Sequence, residues 1–272
     1  MAATKEQKQQ YDEAIREPRA RMKELEKELK DLLAKKKKYP AIGGYYNLEM
    51  VLLHLEIIML NINMNDSSIE YLDLRNSAFL ERGRKEFYKA LQLLEEIAGN
   101  ELEKPLSENK EYLKSIDRVN IRNILQIVRK FSWVFETLKD RVGSTSKWKW
   151  AFVDIYVRVA AVIKNMINFS ELEQHRNFRS EFFKDREELL KFCKANLEEA
   201  AKESRNKYEM STKAPEDILK AIELLSSLHN IHVLYGEVNE AQKTKTVIDA
   251  LRARIDTEEK KNTKAKAKAA KV

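Results

Sequence analysis

Apolar residues along this chain recur at helical spacing almost everywhere. From Met22 the apolar positions continue at Leu25, Leu29 and Leu32, in steps of three and four. Such steps place side chains on one face of an α-helix, and this a/d type of spacing predicts a contact between two helices. No segment carries a comparable strand signal. The pattern therefore predicts an all-α fold of about seven or eight mostly antiparallel helices, as a bundle or an irregular α-solenoid.

Breakers divide this pattern into segments. The clearest break is the sequence from Tyr39 to Gly44, which contains one proline and two glycines, and Pro18 is expected to restart or kink the helix before it. Gly236 is expected at the hinge of a later hairpin. The expected divisions are an N-terminal amphipathic helix, a central helical bundle, a C-terminal helical hairpin packed on the bundle and a disordered Lys-rich tail, at residues 1–38, 44–209, 215–259 and 260–272 respectively.

Capping signals place further boundaries inside the central segment. A helix is expected over 44–64, and Ser67 and Glu70 form a capping-box pattern for the next helix, which runs to about Ala98. One further helix is expected from about Ser107 to Val142. The following helix, KWKWAFVDIYVRVAAVIKNMINF, has only a narrow polar stripe, so it is the expected centre of the domain.

The most apolar run near the N-terminus spans Tyr45–Met64 and raises the question of a membrane span. Glu49, Glu56 and His54 interrupt it, together with three asparagines. Carboxylates at the centre of a lipid-exposed helix cost several kcal/mol. We therefore interpret this run as a buried helix of a soluble bundle and expect no membrane span.

Net charge separates the C-terminal tail from the rest of the chain. The protein has 51 Lys and Arg residues against 44 Asp and Glu residues, and removing the six tail lysines leaves 45 against 44. Phosphate neutralisation dominates nucleic-acid affinity, so a near-neutral body does not favour nucleic-acid binding by its own surface. The tail itself could hold a polyanion in a salt-dependent way, through Lys260, Lys261, Lys264, Lys266, Lys268 and Lys271.

Signals for catalysis, metal binding and cofactors are weak. The sequence has a single cysteine, Cys193, so an internal disulfide is impossible, which fits a cytoplasmic location. No residue near Cys193 in the sequence could act as a base to activate its thiol. His229 and His232 share a helix face but lack further metal ligands, while His54 is interpreted as a hydrogen-bonded core histidine. Glycine-rich phosphate loops and the common hydrolase motifs are absent. The sequence favours a non-catalytic role and indicates no catalytic residue, metal or cofactor.

Two basic or aromatic clusters also have structural interpretations. Trp148 and Trp150 are two residues apart, so on a helix they point in different directions, and at least one is expected in the core. A basic face is predicted to be exposed and salt-bridged, because acids are interspersed along it. Its members are Arg118, Arg122 and Arg129 with Glu111, Glu136 and Asp140.

Residues 224–251, LLSSLHNIHVLYGEVNEAQKTKTVIDAL, are similar to a tetratricopeptide hairpin. The residues that carry the resemblance are Leu228, Gly236 at the inter-helix turn and Ala241. In such repeats small residues permit close helix approach. The resemblance covers this segment only, and it implies protein or peptide binding in a helical groove.

The sequence therefore predicts an intracellular helical scaffold or adaptor that binds another protein through a helix groove. Two alternatives stay open. The first is a nucleic-acid-associated protein that uses the lysines of 260–272 as an electrostatic tether. The second is a helical-bundle enzyme or small-ligand carrier that uses His54, His229 or His232.

Overall fold

The all-α prediction is confirmed by a computed structural model, which describes the backbone of residues 4–269 and the side chains of residues 4–257. Within 4–269 the chain forms eleven α-helices and no β-strand. Their bounds are α1 Lys5–Ala14, α2 Arg16–Lys38, α3 Gly43–Leu72, α4 Ser77–Ala98, α5 Asn109–Leu113, α6 Ile121–Val142, α7 Lys149–Asn165, α8 Phe169–Gln174, α9 Phe183–Lys207, α10 Pro215–Leu234 and α11 Val238–Ala269.

The helices form two compact units. Unit 1 holds the chain up to Gly99 together with Lys110–Lys149, and unit 2 holds Asn100–Asn109 and the chain from Trp150 onward. The boundary at residues 149 and 150 falls within the 44–209 segment that we expected to form one bundle. The short segment Asn100–Asn109 belongs to unit 2, although unit 1 precedes and follows it in the sequence.

Helix α3 is the central helix of unit 1. It packs on α1, α2, α4 and α6. The predicted a/d seam of α2 is part of this packing, because Met22 and Leu25 are buried in one cluster with Ile57 and Met64 of α3. Three aromatic rings join α4 to α6, with the centroid of Phe87 at 4.7 Å from that of Phe131 and 5.3 Å from that of Phe135.

The segment Pro40–Leu72, which includes α3, is long and apolar enough to cross a membrane by length and composition. In its most apolar window 61% of the residues are buried inside the described structure. A helix at the centre of a bundle shows burial of this extent.

Helix α3 is longer than the sequence pattern predicted. It continues without a break to Leu72, so the expected capping box at Ser67 is wrong: Ser68 is a buried position inside the helix. The break lies instead at Asp73, which adopts a left-handed conformation with φ of 50°. A buried side chain organises this turn, because the Asn65 side-chain oxygen accepts a hydrogen bond from the backbone N–H of Asn76, at 3.1 Å. Asn76 in turn caps α4.

The expected helix from Ser107 to Val142 is also wrong at its start. The chain forms the short helix α5 and a 3₁₀ turn at Lys114–Ile116, and α6 begins only at Ile121. Asn120 is the N-cap, and its side chain accepts a hydrogen bond from the backbone N–H of Asn123 at 2.9 Å. Asparagine is among the preferred N-cap residues, so the sequence contained a signal that helical periodicity alone did not capture.

In unit 2, α9 packs on α10 and α10 on α11. Of the expected helix 147–169, α7 covers Lys149–Asn165, and 12 of its residues are buried, among them Ile155, Val159 and Ile163. A π-helical turn at Tyr208–Thr212 follows α9. Gly236 lies at the turn between α10 and α11 with φ of 70°, a conformation that glycine adopts without steric cost.

A buried polar cluster fixes the segment Asn100–Asn109 within unit 2. The Lys164 side chain is fully buried, and its ammonium donates a hydrogen bond to the Leu102 carbonyl at 2.6 Å. The Ser227 hydroxyl donates to the same carbonyl at 2.8 Å. The Asn109 amide donates to the carbonyls of Lys164 and Ile167, both at 3.0 Å. Because buried polar groups without partners are costly, these bonds select one path for the segment.

The first turn of α3 generates a prediction about stability. A Cβ atom on Gly44 would lie 2.6 Å from the Ser115 carbonyl oxygen, whereas on Gly43 its nearest neighbour would be the flexible Lys36 side chain at 3.8 Å. We expect Gly44→Ala to lower the free energy of unfolding by about 1–3 kcal/mol, because backbone must move to admit the methyl group. Gly43→Ala is the matched control and should be neutral or slightly stabilising. Equal denaturation midpoints for the two variants would contradict the close approach.

Lys164 generates a second prediction. Burial lowers the pKa of Lys164 to about 8, against 10.5 for an ordinary lysine. The unfolded chain therefore binds more protons between these values, and stability must rise with pH there. Relative to that of Lys164→Met, the unfolding free energy of wild type should rise by up to about 3 kcal/mol from pH 8 to pH 10.5. Denaturant unfolding at each pH measures this difference.

Two comparisons isolate the Lys164 effect. Burial also raises the pKa of Cys193, to about 12, which acts in the opposite direction. Lys164 itself lowers the pKa of this thiol, so wild type and Lys164→Met are compared in a Cys193→Ala background, where the thiol contribution is absent. Lys191→Met removes an exposed lysine of α9 and should show no such rise. If the difference in unfolding free energy between wild type and Lys164→Met does not change with pH, the lowered pKa of the buried Lys164 ammonium is refuted.

Candidate functional site

Unit 2 contains an open groove between α9, α10 and α11, which we call the α9–α11 groove. Its volume is about 350 Å³. Its floor and walls come from three successive long helices, so the groove is a product of helix packing rather than of loops. The lining residues are Lys194, Glu198, Ala201, Lys202, Arg205, Leu225, Leu228, His232, Glu240, Lys243, Thr244 and Val247.

Apolar side chains from all three helices line the groove. Leu225 and Leu228 of α10 are 7% and 4% exposed, and Ala201 of α9 is also buried. Val247 of α11 is 36% exposed. The partly exposed valine and the buried apolar floor form a surface that a bound partner would remove from water.

The charges around the groove are mostly paired with one another. Lys202 and Lys243 each bind the glutamate three residues earlier on their own helix, and the partner atoms lie 3.1 Å and 2.8 Å apart. Such exposed pairs contribute little to stability, so a partner can displace them at small cost. The Lys194 ammonium lies 2.6 Å from a Glu237 carboxylate oxygen and joins α9 to the turn before α11.

Arg205 is the exception. Its Nε atom is buried, and within the described part of the chain it has no hydrogen-bond partner. A buried donor that is left unpaired costs about 1–3 kcal/mol, so an acceptor supplied by a ligand would be favourable there. The guanidinium prefers a carboxylate or phosphate, which it can bind in a bidentate way.

The two histidines of α10 have separate partners. His232 Nδ1 lies 2.5 Å from a Glu237 carboxylate oxygen, and His229 Nδ1 lies 3.0 Å from the Ala241 carbonyl oxygen. His232 lines the groove, while His229 ties α10 to α11 close to the small residue that carries the repeat-like resemblance. In the region that the structure describes, no three His, Cys, Asp or Glu side chains converge as metal ligands.

Unit 1 has a second cavity, between α2, α3 and α4, with a volume of about 430 Å³. His54 and Glu86 line it, and His54 Nδ1 lies 2.7 Å from a Glu86 carboxylate oxygen. Burial alone would raise the pKa of Glu86, but hydrogen bonds with His54 and Lys89 outweigh it and lower the pKa to about 2. We call this the α2–α4 cavity.

Most charges of the α2–α4 cavity cancel locally. Glu86 binds both His54 and Lys89, and the Lys36 ammonium lies 2.5 Å from a Glu96 carboxylate oxygen. Glu26 is bound by Arg82. Little charge is left for a ligand, which weakens this cavity as a catalytic or carrier site relative to the α9–α11 groove.

Other residues singled out from the sequence are placed as follows. Cys193 is buried, and burial raises its pKa to about 12, which disfavours a nucleophilic thiolate. Trp148 and Trp150 are both only half-buried, so the expectation that at least one lies in the core is wrong. Trp148 instead packs under Arg84, whose guanidinium carbon lies 4.1 Å from the ring centroid.

The arginines of the predicted face, Arg118, Arg122 and Arg129, are all exposed, as predicted, but they do not share one helix. Arg118 precedes the N-cap of α6, whereas Arg122 and Arg129 lie within that helix. The six tail lysines, Lys260, Lys261, Lys264, Lys266, Lys268 and Lys271, lie outside the residues whose side chains are described. Their role in polyanion binding stays a prediction, whereas the backbone of residues 260–269, which was expected to be disordered, is described as the continuation of α11.

The chain is an all-α protein with an open groove between packed helices. The TP0443 family model matches residues 7–259, and the chain belongs to this family. No curated protein and no solved structure matches the chain.

The Glu86 carboxylate gives a prediction for acid stability. Its pKa is lowered in the folded state, so its contribution is present above the ordinary value of 4.5 and is lost as pH falls toward about 2. We expect wild type to exceed Glu86→Gln by about 2 kcal/mol in unfolding free energy at pH 6, and the gap to shrink below pH 4.5. Glu70→Gln, which removes an exposed carboxylate of α3, is the control and should show no such gap. If the difference in unfolding free energy between wild type and Glu86→Gln is the same at pH 6 and pH 3, the lowered pKa of the Glu86 carboxylate beside His54 is contradicted.

Proposed function

We propose that this protein is a non-catalytic helical adaptor that binds a helical segment of a partner protein in the α9–α11 groove. The observation that carries the proposal is the combination of an apolar floor, a partly exposed Val247 and an unpaired buried donor on Arg205. Amphipathic helices bind such grooves through an apolar face whose anchors recur every three or four residues.

The groove also indicates the chemistry of its occupant. Apolar side chains of the partner would cover Leu225, Leu228 and Val247, and an acidic side chain would meet Arg205. Burying apolar area supplies most of the affinity, while the carboxylate–guanidinium pair fixes register. The tetratricopeptide resemblance of 224–251 supports the same role, since the groove uses both helices of that hairpin.

The sharpest test compares two valines of α11. Val247 lines the groove, whereas Val238, which is 75% exposed, does not belong to its lining. A photo-crosslinking amino acid at position 247, in cells that produce the protein, should trap a defined partner that the same probe at position 238 does not trap.

The trapped partner then allows an affinity measurement. Val247→Glu should weaken its binding by at least about tenfold, which corresponds to 1.4 kcal/mol, while Val238→Glu should leave binding unchanged. Identical partners from both probe positions, or equal affinities of the two variants, would refute the groove as the binding surface.

The two alternatives have distinct outcomes in the same assay. Binding that survives Val247→Glu but is lost on deletion of 260–272, and that falls steeply with salt, would favour the electrostatic tether. A small ligand that binds in the α2–α4 cavity would favour the enzyme or small-ligand carrier alternative. The carrier function has less support than groove binding, because the charges around His54 and Glu86 are already paired with one another.

A further inference from the structure

A third cavity, in unit 1, has three cations in its lining, Arg75, Arg84 and Lys147, against one carboxylate among the described residues, Glu81. It has a volume of about 310 Å³ and lies between the start of α4 and the segment that links α6 to α7. Hydroxyl groups of Ser77, Thr145 and Ser146 line it together with Trp148. We call it the Trp148 cavity.

Within the described residues, two cations of this cavity, Arg75 and Lys147, form no salt bridge with a carboxylate, although Lys147 adds weakly to the effect by which Arg84 lowers the pKa of Glu81. The Arg75 guanidinium donates hydrogen bonds to the backbone carbonyls of Arg141 and Val142 at the end of α6. These bonds hold the side chain in place but do not neutralise it. The Lys147 ammonium lies 5.1 Å from the Trp148 ring centroid, where the aromatic face attracts a cation without carrying a negative charge.

A third cation, Arg84, is already paired and acts as a wall. Its Nη2 and Nε atoms lie 2.7 Å and 3.1 Å from the two carboxylate oxygens of Glu81. Glu81 is the one carboxylate among the described residues that line the cavity, and Arg84 is its main partner. The bidentate pair also holds Arg84 against the Trp148 ring, so the aromatic side of the cavity is fixed before any ligand arrives.

A net positive charge beside three hydroxyl groups is complementary to an oxyanion with two charges and several acceptor oxygens. We propose that the Trp148 cavity binds the phosphate group of a small phosphorylated molecule. Arg75 and Lys147 supply the charge, Ser77 and Thr145 supply hydroxyl donors, and Trp148 bounds the space beside the phosphate. The volume exceeds that of inorganic phosphate and leaves room for an organic substituent.

The tryptophans of the chain provide the readout. There are three, Trp133, Trp148 and Trp150, so their indole N–H groups give three signals in a ¹H–¹⁵N spectrum of the full chain, and Trp148→Phe identifies one of them. Inorganic phosphate is titrated at constant ionic strength against chloride. We expect a saturable shift of the Trp148 signal, while the signal of Trp133, which is 57% exposed on α6, stays in place.

Charge removal tests the mechanism. Lys147→Gln should weaken apparent phosphate affinity by about tenfold, because a charge-assisted hydrogen bond is lost. Lys130→Gln, which removes an exposed lysine of α6 outside the cavity, should bind as wild type does. The unchanged positions of the Trp133 and Trp150 signals in each variant show that the fold is retained.

Three results would each overturn the proposal. They are no saturable Trp148 shift with phosphate, an equal response to chloride, and Lys147→Gln affinity equal to that of wild type. A phenyl phosphate titration then asks about the substituent. Tighter binding than inorganic phosphate supports a phosphorylated organic ligand, and weaker binding refutes that part of the proposal.

Discussion

Each unit of this protein depends on an apolar central helix that also carries polar side chains into the interior. Burial of α3 and α7 supplies the hydrophobic driving force, but it also encloses Asn65, His54 and Lys164. A buried polar group must find a partner, and here each partner lies on a different segment. Asn65 binds the turn before α4, His54 binds Glu86 on α4, and Lys164 binds the segment at Leu102. The apolar faces hold the helices together, and these few polar contacts determine how they are aligned.

This division explains what could be predicted from the sequence. Helical periodicity, glycine and proline were sufficient for the all-α class, for the break at Tyr39–Gly44 and for the hinge at Gly236. They failed where a helix ends without a breaker. Asp73 takes a left-handed conformation that its residue type does not require, and the turn depends on Asn65, which lies two turns earlier in α3 and carries no breaker signal of its own. The capping pattern at Ser67 was overridden because burial in the bundle favours continuing the helix there.

The candidate sites were still less predictable, for a related reason. The helices that form the α9–α11 groove could be recognised from the sequence, but the unpaired state of Arg205 depends on what packs around it. The Trp148 cavity joins residues near 75 and near 147, a pairing that no local motif encodes. Local cancellation of charge is the property that distinguishes the three cavities. Within the described residues, most charges of the α2–α4 cavity are paired, the α9–α11 groove offers one unpaired buried donor, and the Trp148 cavity keeps two cations that form no salt bridge.

The path of Asn100–Asn109 limits how the protein can be divided for experiments. A fragment that ends near residue 149 would carry this decapeptide away from Lys164 and Ser227, and a fragment that begins near residue 150 would enclose an ammonium with no carbonyl to receive it. Neither half is a natural unit of expression. Isolating unit 2 requires grafting the decapeptide back by a short linker, and isolating unit 1 requires closing the chain between residues 99 and 110.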